Sequence, residues 1–137
     1  MGQYYVLVNL TKKEIVCPWC IGGFAKLWEW CVNKQAGILP FLLRKSSEGG
    51  GGDIKKEYET AGRWAGDNVV LIGDYDESGL FEEAFENYRN ISGILVEEYN
   101  DFIEEPSFKL VYRPCSMHKS CVEGEIEALA RRLSKKK

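Results

Sequence analysis

Cys17-Pro18-Trp19-Cys20 sets two thiols three positions apart in a turn-forming tetrapeptide, and Cys115-Ser116-Met117-His118-Lys119-Ser120-Cys121 repeats that interval as Cys, His, Cys near the other end of the chain. Thiolate and imidazole are the ligands that zinc gathers into closed tetrahedral sites, and ligands at this short spacing reach one ion from one loop. Cys17 and Cys20, with two of Cys115, His118 and Cys121, would complete a structural zinc site. The condition is that the fold brings together two loops about 95 residues apart. The same sulfurs admit other states: a disulfide within one loop or between the two, or plain buried thiols, which behave as small apolar side chains. Cys31, on the apolar side of a helical pattern, reads as a core residue.

A strand running into Cys17-Pro18-Trp19-Cys20 and on into a helix is similar to a glutaredoxin active site, where the helix N-terminus lowers the pKa of the first thiol. That likeness makes Cys17 the attacking thiol and Cys20 the resolving one, in a thiol redox enzyme. Pro40 follows after a single helix, too early for the cis-proline of such a fold.

Asp74, Asp76 and Ser78 place oxygens at alternate positions ahead of Gly79, as in the opening half of a calcium loop, and Glu82 stands at its ninth position. The twelfth position, where a glutamate should close the site, is Phe85. The segment therefore reads either as a weak divalent-cation site or as an acidic lead-in that complements a helix N-terminus. The glycine run Gly49 to Gly52 lacks the Gly-Lys-Ser/Thr ending of a phosphate-binding loop.

Three segments in order, Gly2-Gln3-Tyr4-Tyr5 to Val8-Asn9-Leu10-Thr11, Gly62-Arg63-Trp64-Ala65-Gly66-Asp67, and Val69 to Tyr75, resemble an uncharacterised family of small proteins. Its members occur in bacteria, archaea and viruses of hyperthermophilic archaea and carry no known activity. The resemblance covers most of residues 2 to 92. It directs attention to Arg63, Trp64 and Asp67 as a motif surface. The blander arrangement has Arg63 bonded to a carboxylate and Trp64 packed over a helix. Relatives carry a histidine-proline sequence where this chain has Cys17 to Cys20, so the cysteines become local stabilisers. A viral, hyperthermophilic origin would imply disulfides contributing about 2–4 kcal/mol each through loop closure.

The elements that must position these residues follow from periodicity. Tyr4 to Val8 is apolar on both alternating faces and reads as a strand, with Glu14 to Cys17 returning as the second arm of a hairpin. Phe24, Leu27, Trp28 and Cys31 recur at helical spacing, Gly37 can cap that helix, and Ile38 to Leu43 is a second helix or an extended segment. The continuous run Val69 to Ile72 is the expected sheet centre. Ser78 is placed to cap a helix carrying Leu80, Phe81, Ala84, Phe85 and Tyr88, and Ser92 to cap one carrying Leu95, Val96, Tyr99, Phe102 and Ile103. Phe108, Leu110 and Tyr112 alternate as a half-exposed strand, and Val122, Ile126, Leu129, Ala130 and Leu133 form the inward stripe of a last helix. The expected class is α+β: one domain over 1–137, a small mixed or antiparallel sheet of about four strands packed by amphipathic helices. A flexible glycine-rich loop spans 46–53 and a basic tail 134–137.

Composition limits the partners. The 137 residues are 45% hydrophobic and 28% charged, enough for one substantial core. No apolar run approaches the roughly 20 residues needed to span a bilayer, and the first residues are not those of a secretion signal, so an intracellular location is expected. Asp74 to Glu105 holds eleven acids against one base, a surface that repels phosphate backbones. Nucleic acid is therefore not the expected partner. The reading from residues is a non-enzymatic binding domain for a protein or small ligand, fastened by its cysteines through disulfide or zinc. Self-association is left open.

Overall fold

The computed structural model describes residues 2–135; Met1 and the last two lysines of the expected basic tail lie outside the described residues. Strands β1 (Tyr5–Asn9) and β2 (Glu14–Val16) form an antiparallel hairpin with Leu7 opposite Val16 and Asn9 opposite Glu14. Lys13, at φ 56°, turns the connection, and Asn9 Oδ1 accepts the Lys12 amide at 2.8 Å. Strand β3 (Val69–Gly73) pairs antiparallel with the free side of β1, and the two-residue β4 (Arg89–Asn90) pairs parallel with β2, giving the order β3-β1-β2-β4. The α+β class and the four-strand mixed sheet are as the sequence led one to expect.

The position of β3 is not. Val69 to Ile72 lies at an edge, with Val69, Val70 and Leu71 half-buried, while β1 and β2 hold the centre and bury Val6, Leu7, Val8, Ile15 and Val16. A run of β-branched and leucine residues specifies a strand, but β3 finds a partner only in β1 and stays half-covered.

Helix α1 (Leu27–Val32) also departs from its pattern. Phe24, Leu27, Trp28 and Cys31 face solvent, and the inward residues are Ala25 and Trp30, whose Nε1 donates to the Tyr5 carbonyl at 3.1 Å. At six residues the helix is too short to bury a four-residue stripe, and one indole anchors it instead. Ile38 to Leu43 is a helix, α2, with Pro40 in its first turn, where no intrahelical N–H is needed. The 46–53 loop is gathered around Arg44, whose guanidinium donates to Asp53 Oδ1 at 2.7 Å and to the carbonyls of Ser46 and Glu48 at 2.9 and 2.8 Å.

Helix α3 (Leu80–Asn87) starts two residues after the serine expected to cap it: Gly79, at φ 84°, is the cap, and Ser78 Oγ accepts the Leu80 amide at 3.2 Å. Helix α4 (Ser92–Phe102) buries Ile94, Leu95, Val96 and Tyr99, and Ser92 is its first residue rather than its cap. The expected strand at 108–113 joins no sheet. Phe108 closes a 3-10 turn over Pro106–Phe108, and the Asn100 amide takes both backbone groups of Leu110, at 2.7 and 2.8 Å. A side-chain amide has here supplied the ladder partner that a neighbouring strand would.

Helix α5 (Lys119–Lys135) packs on α3, α4 and β4 with its small residues inward: Ser120, Cys121 and Gly124 are buried, and Ala128 meets Gly93. A Cβ on Gly124 would stand 3.0 Å from the Asn90 carbonyl oxygen, so glycine permits this approach. Val122, Ile126, Leu129 and Leu133, expected in the core, are exposed on the opposite side. Close backbone approach outweighed the burial of large side chains. Among the described residues, no helix is long and apolar enough to cross a membrane.

Candidate metal centre

Four sulfurs converge where the end of β2 meets the start of α5. The Sγ atoms of Cys17, Cys20, Cys115 and Cys121 all lie within 4.8 Å of one another, with Cys17, Cys20 and Cys121 buried and Cys115 half-buried. A Zn–S bond of about 2.3 Å puts the sulfurs of a tetrahedral site about 3.8 Å apart, so small side-chain adjustments would close this set on one ion. All five cysteines are free thiols here, and four of the sulfurs are gathered into one cluster. These four could hold a metal ion.

Local structure explains each position. Cys17 ends β2, and Pro18–Cys20 make one 3-10 turn in which the Cys20 amide bonds the Cys17 carbonyl at 3.2 Å, turning both thiols to the same side. Gly23, at φ 88°, completes the loop by donating its amide to the Pro18 carbonyl at 2.9 Å. On the other side, Ser116 takes a left-handed conformation, φ 59°, so that the chain reverses between Cys115 and the helix. Cys121 lies in the first turn of α5, its amide bonded to the His118 carbonyl at 3.1 Å; a hydrogen bond with Cys17 lowers its thiol, but the bond with Cys20 and burial outweigh it and push the thiol above its usual range.

The buried polar groups around the sulfurs are donors. Asn90 Nδ2 reaches Cys20 Sγ at 3.7 Å, the Cys115 amide also donates to Cys20, and the Met117 amide donates to Cys115. Asn90 Oδ1 in turn accepts the Ser92 amide and hydroxyl at 2.9 and 2.5 Å, and Ser92 Oγ accepts the Cys17 amide at 3.0 Å. The Arg113 amide bonds the Cys20 carbonyl at 2.8 Å, tying the two cysteine loops through backbone. Four thiolates around a divalent cation leave two excess negative charges, and this ring of N–H groups is placed to offset them.

The thiols are not equivalent. Hydrogen bonds from Cys121 and Cys17 hold the Cys20 thiol well below its usual pKa, and a bond from Cys17 chiefly lowers Cys115, to about 5. Burial pushes Cys17 far up. That is the reverse of what an attacking thiol needs, since Cys17 is wholly buried and its protonated form is favoured.

His118 is adjacent to the sulfur set without belonging to it. Its Nδ1 lies 3.9 Å from the sulfurs of both Cys115 and Cys121, and its ring stacks on Phe85 at 3.9 Å with Trp19 at 5.9 Å. Cys31 lies apart and exposed. In the acidic loop, Asp74 Oδ1 accepts the Tyr4 amide at 3.0 Å and Asp76 binds Ser78; with Glu82 they form no group able to share an ion among the described residues.

The motif residues Arg63, Trp64 and Asp67 are not a free surface. Trp64 is wholly buried, and Arg63 and Trp64 both bind Glu14: Arg63 through Nε at 3.0 Å and Nη2 at 2.5 Å, Trp64 through Nε1 at 2.7 Å. Arg89 Nη1 stands 3.4 Å from the same carboxylate and its Nε donates to Glu127 of α5 at 2.9 Å. Burial would raise the Glu14 pKa, but these donors outweigh it and hold the carboxyl below its usual range. Asp67 accepts from Asn9 at 2.8 Å and Lys12 at 2.6 Å. Glu14, Asn90 and Ser92 were invisible as site-builders in the sequence, because each is a lone polar residue whose partners are distant in the chain. The one available signal was an acid placed inside an otherwise apolar strand, which demands a buried cation.

No family model matches the chain, and no curated protein or solved structure matches it either. The site is therefore read from its own chemistry.

Proposed function

We propose that this chain is a zinc-stabilised, non-enzymatic binding domain in which one tetrahedral ion, held by Cys17, Cys20, Cys115 and Cys121, clasps the first hairpin to the last helix. The observation that carries the reading is the convergence of four thiols within 4.8 Å, three of them buried. An all-sulfur donor set selects soft or borderline ions, and a closed buried set leaves no coordination position for a substrate, the mark of a structural rather than catalytic site. N–H donors from Asn90, Cys115 and Met117 suit a thiolate cluster with excess negative charge.

Elemental analysis of freshly purified chain is the test. One zinc per chain, with cobalt substitution giving the intense sulfur-to-metal charge-transfer bands of a four-thiolate site, is the expected result. A chain without metal, or with Cys17–Cys20 and Cys115–Cys121 disulfides mapped under non-reducing conditions, refutes the proposal.

A further inference from the structure

Val122, Ile126, Leu129 and Leu133 are 41%, 62%, 50% and 64% exposed. Their spacing of four, three and four residues is that of alternating core positions in a coiled coil. At 100° per residue they gather on the side of α5 opposite the buried Gly124. A seam about 16 Å long thus faces outward.

Charge is distributed so that one partner suits it. Glu123, Glu125 and Glu127 lie in the first half of α5, and Arg131, Arg132 and Lys135 in the second. Arg131 and Lys135 are bound within the chain, to Glu59 and Glu97. Glu125 and Arg132, both on one flank of the seam, have no ion-pair partner among the described residues. We infer that α5 pairs with the α5 of a second copy of this chain, antiparallel across a two-fold axis. Ile126 then packs against the partner's Leu129 and Val122 against the partner's Leu133. The same register sets Glu125 beside the partner's Arg132, twice by symmetry. A parallel pair would bring acidic halves together and basic halves together. An anionic membrane surface would meet Glu123 and Glu125 at the edges of the stripe. Four apolar residues per copy bury less than a standard interface, so the dimer is a weak one that depends on concentration.

The experiment is sedimentation equilibrium of the full chain as purified, with variants at exposed positions whose circular dichroism and metal content are checked against the parent. The expected result is a monomer–dimer equilibrium weakened at least ~10-fold by Leu129→Glu. Glu125→Arg alone and Arg132→Glu alone should each weaken it about 3- to 10-fold, and the double variant should return it to near the parent value. Overturning results are a monomer at all concentrations, a dimer indifferent to Leu129→Glu but broken by Trp28→Glu on the α1 patch, or a double variant no better than the single ones.

Discussion

The side-chain amide of Asn90 donates from Nδ2 to Cys20 Sγ, 3.7 Å away, while its Oδ1 receives the amide and hydroxyl of Ser92. One buried residue of β4 thus supports both the Cys17–Cys20 loop and the start of α4. Asn90→Ala should weaken zinc affinity about 10- to 100-fold, by loss of an N–H donor to a ligand sulfur. It should also destabilise the chain by about 1–3 kcal/mol, by orphaning the Ser92 donors. Competition with a chromophoric chelator and chemical denaturation measure the two effects separately.

Serine at Cys17, Cys20, Cys115 or Cys121 should abolish stoichiometric zinc, while Cys31→Ser, at an exposed thiol, should change neither metal content nor melting temperature. His118→Ala should keep the metal at reduced affinity, since His118 borders the sulfur set. Loss of stoichiometric zinc in that variant would make the imidazole a ligand.

Removing the ion with a strong chelator should lower the melting temperature, because an ion that binds only the folded chain stabilises it by mass action. Binding requires deprotonated thiols, so metal affinity should fall as pH falls. Metal release followed against pH, alongside thermal melts, reads both.

Glu14→Gln should cost about 1–3 kcal/mol, since it removes the buried acceptor of Arg63 and Trp64, while partial exposure of Arg63 and the Arg89–Glu127 pair soften the loss. The pH dependence has a definite sign. The folded-state pKa of Glu14 is depressed, so its stabilisation is fully present above the unfolded value of about 4.3 and is lost as pH falls through the lower folded value. Denaturant melts from neutral pH into this acid range should show the parent losing its advantage over Glu14→Gln.

Gly124→Leu should displace α5 from β4, because even a Cβ at this position meets the Asn90 carbonyl oxygen at 3.0 Å. The expected cost is about 1–3 kcal/mol. Because Cys121 rides on the same helix, zinc occupancy should fall with it.

Much of the fold was legible where a segment's pattern had one physical outcome. The β1–β2 hairpin, α3 and α4 follow from apolar periodicity interrupted by turn residues. The helices α1 and α5 were legible as helices but not in their orientation. Hydrophobic stripes were expected inward, whereas Trp30 anchors α1 by an indole hydrogen bond and Gly124 lets α5 approach by its small face. For β3, an apolar run fixed a strand but neither its full burial nor its place in the sheet order. At the site, cysteine spacing named all four sulfurs but left open whether they pair, bind metal or stay apart. Only the relation of Ser116's left-handed turn to the Pro18–Cys20 turn aims them together.

The distribution of the four clustered cysteines along the chain has a consequence for biosynthesis. Cys17 and Cys20 leave the ribosome with the first hairpin, and Cys115 and Cys121 follow only after the sheet and α4 have been made. With zinc as proposed, a nascent chain would present half a coordination sphere for most of its translation, and full occupancy would be a chemical signature that the last helix has docked.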